Sequence, residues 1–198
     1  GTLEEVEADV RALFRAHSRP GEDIHQTCIR LNREDQPLLY RLYQTVEKAL
    51  SFDKLRLECR PFLRELLPEG VMVELGAGLI MGIPNDTRIV YDWHQEIVYH
   101  RAIENVVHVW IPLVVRADMT NGTMSALRGS SNIGALDYTK KEKVVANSTT
   151  NLVPNGMDKW KAEFPEDFFL GDRGDLVMLS PYVIHRSNAN TGDKVRFI

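Results

Sequence analysis

Cysteine is scarce in this chain of 198 residues, which holds only Cys28 and Cys59. Two cysteines cannot build a disulfide framework, and no C-x-x-C pair is present. We therefore expect a reducing compartment, which also suits an oxidisable metal such as Fe(II). No apolar run approaches the ~20 residues of a membrane span, and no signal peptide is visible. Positive charge is in deficit, with 24 Lys and Arg against 28 Asp and Glu for a net charge of −4. Without a basic run interleaved with aromatics, nucleic acid is not an expected partner. Internal repeats and low-complexity segments are absent. These absences point to a cytoplasmic globular protein, monomer or homodimer, with no membrane and no nucleic acid as partner.

What is present divides into two parts. The hydrophobic fraction of 43% and the charged fraction of 26% suit a globular chain with a sizeable core. We expect one domain over residues 1–198, with 1–67 as helical support and 70–198 as a β core. Thr2 and Glu5 fit a capping box, followed by Leu3, Val6, Val10, Leu13 and Phe14 at helical spacing. A second helix is expected after Asn32, with Pro37 in its first turns and Leu38, Leu39, Leu42, Tyr43, Val46 and Leu50 as its buried stripe. A third, "FDKLRLECRPFLRELL", is expected to kink or split at Pro61.

Beyond "PEG" at 68–70 come short β-like runs: "VMVEL", "GLIMGI", "RIVYD", "NVVHVWIPLVV", "GTMSAL", "DLVML", "YVIHR" and "KVRFI". Turn residues separate them, so an antiparallel sandwich or barrel is expected. Residues 139–170 read as less regular, with one short helix near "MDKWKAEF". Sequons at Asn121 and Asn147 fall in turn-rich sequence and read as accidents. Arg173-Gly174-Asp175 spells an adhesion tripeptide but reads as a turn launching a strand.

Six histidines and 28 acidic residues make one H-x-D/E pair close to an even bet by chance. The pair in "YDWHQEIVYH", His94 and Glu96, gains weight from its extended context. In a strand, positions i and i+2 share a face, so one metal could take both. A 2-His-1-carboxylate iron site then needs a further histidine from elsewhere. His17 and His25 fall in the helical or linker part. His100 lies near the expected strand end. His108 shares a face with Trp110 and reads as a pocket-lining or satisfied core histidine rather than as a ligand. His185 closes the apolar run "LVMLSPYVIH". If Ser187 pairs with Lys194 across the following loop, His185 stands opposite Arg196, with Ser187 on the same face. An arginine beside a metal-binding histidine makes sense where a dianion bridges them, one end on the metal and the other on the guanidinium.

These residues resemble the phytanoyl-CoA dioxygenase family of Fe(II)/2-oxoglutarate oxygenases. The likeness rests on W-H-Q-E at 93–96, on "VHVWIPLVVRADMTNGTMSAL", on "RGSSNIG" at 128–134 and on "HRS…VRF" at 185–197. The resemblance implies a mainly β fold with N-terminal helices: a double-stranded β-helix, or cupin-like jelly roll, with the helices packed outside. It implies that His94, Glu96 and His185 hold Fe(II). Arg196 and Ser187 would bind the distal carboxylate of the co-substrate 2-oxoglutarate, with Trp110 lining that pocket, and one metal position would remain for O2. The implied activity is hydroxylation of an aliphatic C–H in a small metabolite or a carrier-linked acyl or amino-acid substrate, with release of succinate and CO2. The alternatives are a non-catalytic jelly-roll protein that binds a metal or metabolite, and a cupin-type metalloenzyme that uses no oxo-acid. Two positions depart from the family pattern. Glu96 stands where the family usually has Asp, and Arg128-Gly129-Ser130-Ser131 replaces its P-G-S-H turn. Arg128 is expected to face substrate or a surface carboxylate.

Overall fold

The computed structural model describes residues 1–67, 78–88, 90–100, 106–141 and 151–198. Four helices come first: α1 (Thr2–Arg15), α2 (Ile24–Glu34), α3 (Gln36–Val46) and α4 (Leu50–Leu66). Val6, Val10 and Phe14 form the buried stripe of α1 at the expected four-residue spacing. The Thr2–Glu5 capping box does not form. Thr2 instead donates to Glu58 at 2.6 Å and Glu5 pairs with Lys54 at 2.7 Å, so both tie α1 to α4. Helix α2 was not anticipated. Asp23 and Gln26 cap it reciprocally, each side chain accepting from the other's backbone N–H at 2.8–2.9 Å. Helix α3 starts later than expected, where Asp35 accepts from the Leu38 N–H at 3.0 Å. Helix α4 is not split at Pro61. Pro61 and Leu57 face solvent, so water can satisfy the carbonyl that loses its partner.

The strands are β1 (Met81–Gly82), β2 (His108–Trp110), β3 (Met124–Leu127), β4 (Tyr138–Lys141), β5 (Asn151–Pro154), β6 (Glu166–Phe168), β7 (Val177–Leu179), β8 (His185–Ser187) and β9 (Arg196–Phe197). Helix α5 (Met157–Glu163) lies between β5 and β6. Every described pairing is antiparallel: β1 with β9, β2 with β7, β4 with β5, and β6–β3–β8 in one sheet. The stretch after residue 139 is therefore more regular than its sequence suggests. The strand expected at 71–75, the sequon at Asn147 and the middle of the insert at 142–150 lie outside the described residues.

The register assumed for the last hairpin is wrong. Strand β8 pairs with β3, setting Ser187 opposite Met124 and His185 opposite Ala126. Strand β9 pairs with β1, setting Arg196 opposite Gly82. The intervening loop turns away because Asn190 donates to both Gly82 O (2.7 Å) and Lys194 O (2.8 Å), while Thr191 and Gly192 N–H groups bond to Thr120 O. The chain thus leaves one sheet and joins another.

Among the described residues, buried apolar side chains form two clusters. The larger joins α1–α4 residues such as Phe14, Leu31 and Leu42 to Met81, Leu113, Val195 and Phe197. The smaller gathers Trp93, Leu127 and Ile184, with Met157, Trp160 and Phe164 against them. Alternation along extended chain then turns Arg196 away from the helices, and turns His94 and His185 away from the smaller cluster. Arg173 of the adhesion-like tripeptide is tied to Glu4 and Glu7 of α1, and Gly174 packs against Leu3 with φ 88°. It acts here as a clamp between turn and helix. Among the described residues, no helix is long and apolar enough to cross a membrane.

His25 stitches α2 to β9. Its buried Nδ1 accepts from the Val195 N–H at 3.1 Å, and burial pulls its pKa below the ordinary value. The neutral form is the one that fits. The unfolded chain takes up the proton first, so stability from His25 is full above ~6.5 and falls as pH drops towards the lower folded value. The substitution His25→Asn keeps an acceptor but cannot titrate. It should flatten the difference between urea-unfolding free energies at pH 7.5 and 5.5. An unchanged difference would remove His25 as a source of acid sensitivity.

Candidate metal centre

His94 and His185 are brought together by backbone before side chain. They form an isolated antiparallel bridge, exchanging N–H···O bonds of 2.9 and 3.0 Å. Their rings lie 4.2 Å apart between centroids. Contrary to the expectation of a continuous strand, Glu96 opens a short 3-10 turn over Glu96–Val98. Its carboxylate still meets His94 because Gln95 is extended, with φ −117° and ψ 139°. Gln95 has 0% exposure and is held by three bonds: its amide donates to Gly134 O and Tyr182 O, and it accepts from the Leu136 N–H. Sequence reasoning assigned it no role, although it sits inside W-H-Q-E.

Glu96 Oε1 lies 3.2 Å from His94 Nε2 and 3.5 Å from His185 Nε2. The potential ligand atoms of His94, Glu96 and His185 all fall within 4.8 Å of one another. Each histidine also has its other nitrogen committed. His94 Nδ1 meets Asp92 O at 2.7 Å and His185 Nδ1 meets Val183 O at 3.0 Å. A carbonyl only accepts, so each Nδ1 carries hydrogen and a neutral ring presents the Nε2 lone pair to the centre. Two lone pairs and a carboxylate facing one point suit a divalent cation. Burial alone would raise the Glu96 carboxyl pKa. In the metal-free protein, hydrogen bonds from the protonated forms of His185 and His94, with charge on His108, outweigh burial and hold it well below the usual range. Burial also lowers the pKa of His185, which favours its ligating neutral form.

His108 stands on the other side of the carboxylate, with Nε2 3.4 Å from Glu96 Oε2 and a side chain 40% exposed. Trp110 follows on the same strand face, half-buried, with His108 opposite Leu179 and Trp110 opposite Val177.

Arg196 is 4% exposed. Its Nη1 donates to Asn121 O at 3.2 Å, its buried Nε has no partner, and no ion pair engages it among the described residues. Burial lowers its pKa to about 10, so it stays charged at neutral pH. A Cβ on Gly82 would lie 3.2 Å from the guanidinium carbon, so the glycine makes room for this side chain. Ser187 lies on the His185 face of β8, towards the Asn121 end of β3 where the guanidinium is anchored. Arg128 is 71% exposed and faces a surface carboxylate, Asp167, at 3.3 Å. A cleft of about 410 Å³ lies behind Asp92 and Trp93, lined also by Lys141, Met157 and Lys161, and includes none of the three clustered residues.

A family model described as phytanoyl-CoA dioxygenase matches residues 1–198. No curated protein matches the chain. Among solved structures, a chain described as "non-heme monooxygenase; ThoJ apo" is similar at 19% identity and a TM-score of 0.49, over 96% of this chain and 67% of that one.

Proposed function

The chain belongs to the phytanoyl-CoA dioxygenase family, and from that premise we propose that it is an Fe(II)- and 2-oxoglutarate-dependent dioxygenase. Its substrate would be a small metabolite or a carrier-linked acyl or amino-acid group, hydroxylated at an aliphatic C–H. The fold would be a single double-stranded β-helix with the helices outside it. His94, Glu96 and His185 would hold the iron facially, leaving three positions for small molecules. When bound, iron supplies the redox chemistry that couples decarboxylation of 2-oxoglutarate to oxygen insertion.

The observation that carries this reading is Arg196. A buried guanidinium with an unpartnered Nε is costly, and its side of β9 faces away from the helical core. A bidentate carboxylate is the group that would satisfy it. Ser187 would add a hydroxyl donor to the same carboxylate, and Trp110 would wall the pocket. A metalloenzyme without an oxo-acid has no use for that cation. A sensor of the same diacid would have one, but would not turn it over. Protein loaded anaerobically with Fe(II) and then given O2 and 2-oxoglutarate should form succinate and CO2 in equal amounts, slowly without substrate. Tight binding without turnover across candidate substrates would favour the sensor, and neither binding nor turnover would end the proposal.

A further inference from the structure

Glu96 is one methylene longer than the family's usual aspartate, and that length creates a problem the structure also answers. A glutamate beside a metal can chelate with both oxygens. Chelation would leave two open positions instead of three, too few for a bidentate oxo-acid and O2 together. Here the two oxygens face different partners: Oε1 faces His94 and His185, and Oε2 faces His108.

We propose that His108 is a positioning residue whose Nε2–H holds Glu96 Oε2, 3.4 Å away, so that Glu96 binds metal through Oε1 alone. The inference rests on the metal reading above. His108 is well placed for the role. It sits on a strand paired with β7, so its backbone is fixed independently of the turn that carries Glu96. His100 backs it, with ring centroids 6.3 Å apart, and the ligand atoms of Glu96, His100 and His108 lie within 4.8 Å of one another. That second trio suggests a rival, a second cation bridged to the first by Glu96. Charge disfavours it. Glu96 is the one carboxylate in either trio, so two divalent ions would leave three positive charges uncompensated at short range.

The test counts ions and bound waters with Mn(II), using the full chain and no co-substrate. Wild type should bind one Mn(II) per chain, with water-proton relaxivity corresponding to three bound waters. His108→Ala should still bind one Mn(II), but with two waters, lowering the bound-state relaxivity by about one third. His108→Gln, which keeps an N–H donor, should restore it. His108→Leu serves as the second removal variant if the alanine form does not fold. Unchanged relaxivity in both removal variants would overturn the proposal, as would loss of the ion from both, which would make His108 a ligand. Two Mn(II) per wild-type chain, falling to one in the variants, would establish the bridged pair instead. No Mn(II) on wild type would overturn this inference together with the metal reading, whereas the other failures leave that reading standing.

Discussion

Arg196→Met should give a protein that melts at a higher temperature than wild type and no longer takes up 2-oxoglutarate. Both effects have one origin. The guanidinium is 4% exposed, keeps its charge, and among the described residues has a single hydrogen bond, to Asn121 O. Burying a charge without a counter-ion costs several kcal/mol after relaxation. A methionine of similar length would pack against Gly82 without that penalty. A gain of about 1–3 kcal/mol is expected, or roughly 2–4 °C per kcal/mol for a chain of this size. Binding should move the opposite way. Removing one partner of a buried charge pair costs about 2–5 kcal/mol, which is roughly thirtyfold to several thousandfold in Kd. Calorimetry of the metal-loaded protein with 2-oxoglutarate checks the second effect and thermal melting checks the first. Metal affinity should stay near wild type, because Arg196 contacts no member of the His–Glu–His trio. If the variant binds the diacid as well as wild type does, the cation has another purpose and the proposed co-substrate loses its main support.

Glu96→Ala should remove metal binding at concentrations that saturate wild type. Glu96 is the one anionic donor in the trio, and both histidines approach its Oε1. Losing an outer-shell partner alone typically costs 10–100-fold in metal affinity, so loss of the charged ligand should exceed about 100-fold. Glu96→Asp keeps the charge on a shorter arm, which moves the carboxylate by roughly one bond length, ~1.5 Å. That variant should bind metal far better than the alanine form. Mn(II) titration of the apo proteins measures all three. Wild-type affinity in Glu96→Ala would mean that the carboxylate is not a ligand, whatever its distance from the histidines.

Much of the centre was legible in the sequence, though not always for the stated reason. The two-residue spacing of His94 and Glu96 does put both side chains at one point, but through an extended Gln95 rather than a continuous strand. The pairing of His185 with Arg196 failed because β register is a non-local property. Nothing in "NANTGD" shows that Asn190 will bond to Gly82 O, far away in the chain. Helix α2 was readable from Asp23-x-x-Gln26, but its buried face includes His25 and Thr27 beside Ile24, Cys28 and Leu31, which blurs the apolar stripe. Strand β4, Tyr138–Lys141, could not have been read. Its side chains are mostly exposed and polar, so no alternation of apolar residues marks it. Gly82 looked like any glycine in a β run until the guanidinium beside it explained the missing side chain.

Because His94 and His185 exchange both main-chain hydrogen bonds, peptide geometry sets the spacing of their imidazoles. The two stand roughly ninety positions apart, a long loop for a folding chain to close. An ion gripping both rings would staple the finished topology and reward nothing short of it. At a hundred times its Kd, such an ion adds ~2.7 kcal/mol to the native state. Metal supply in the cell would therefore govern how long each molecule survives, as well as whether it can work.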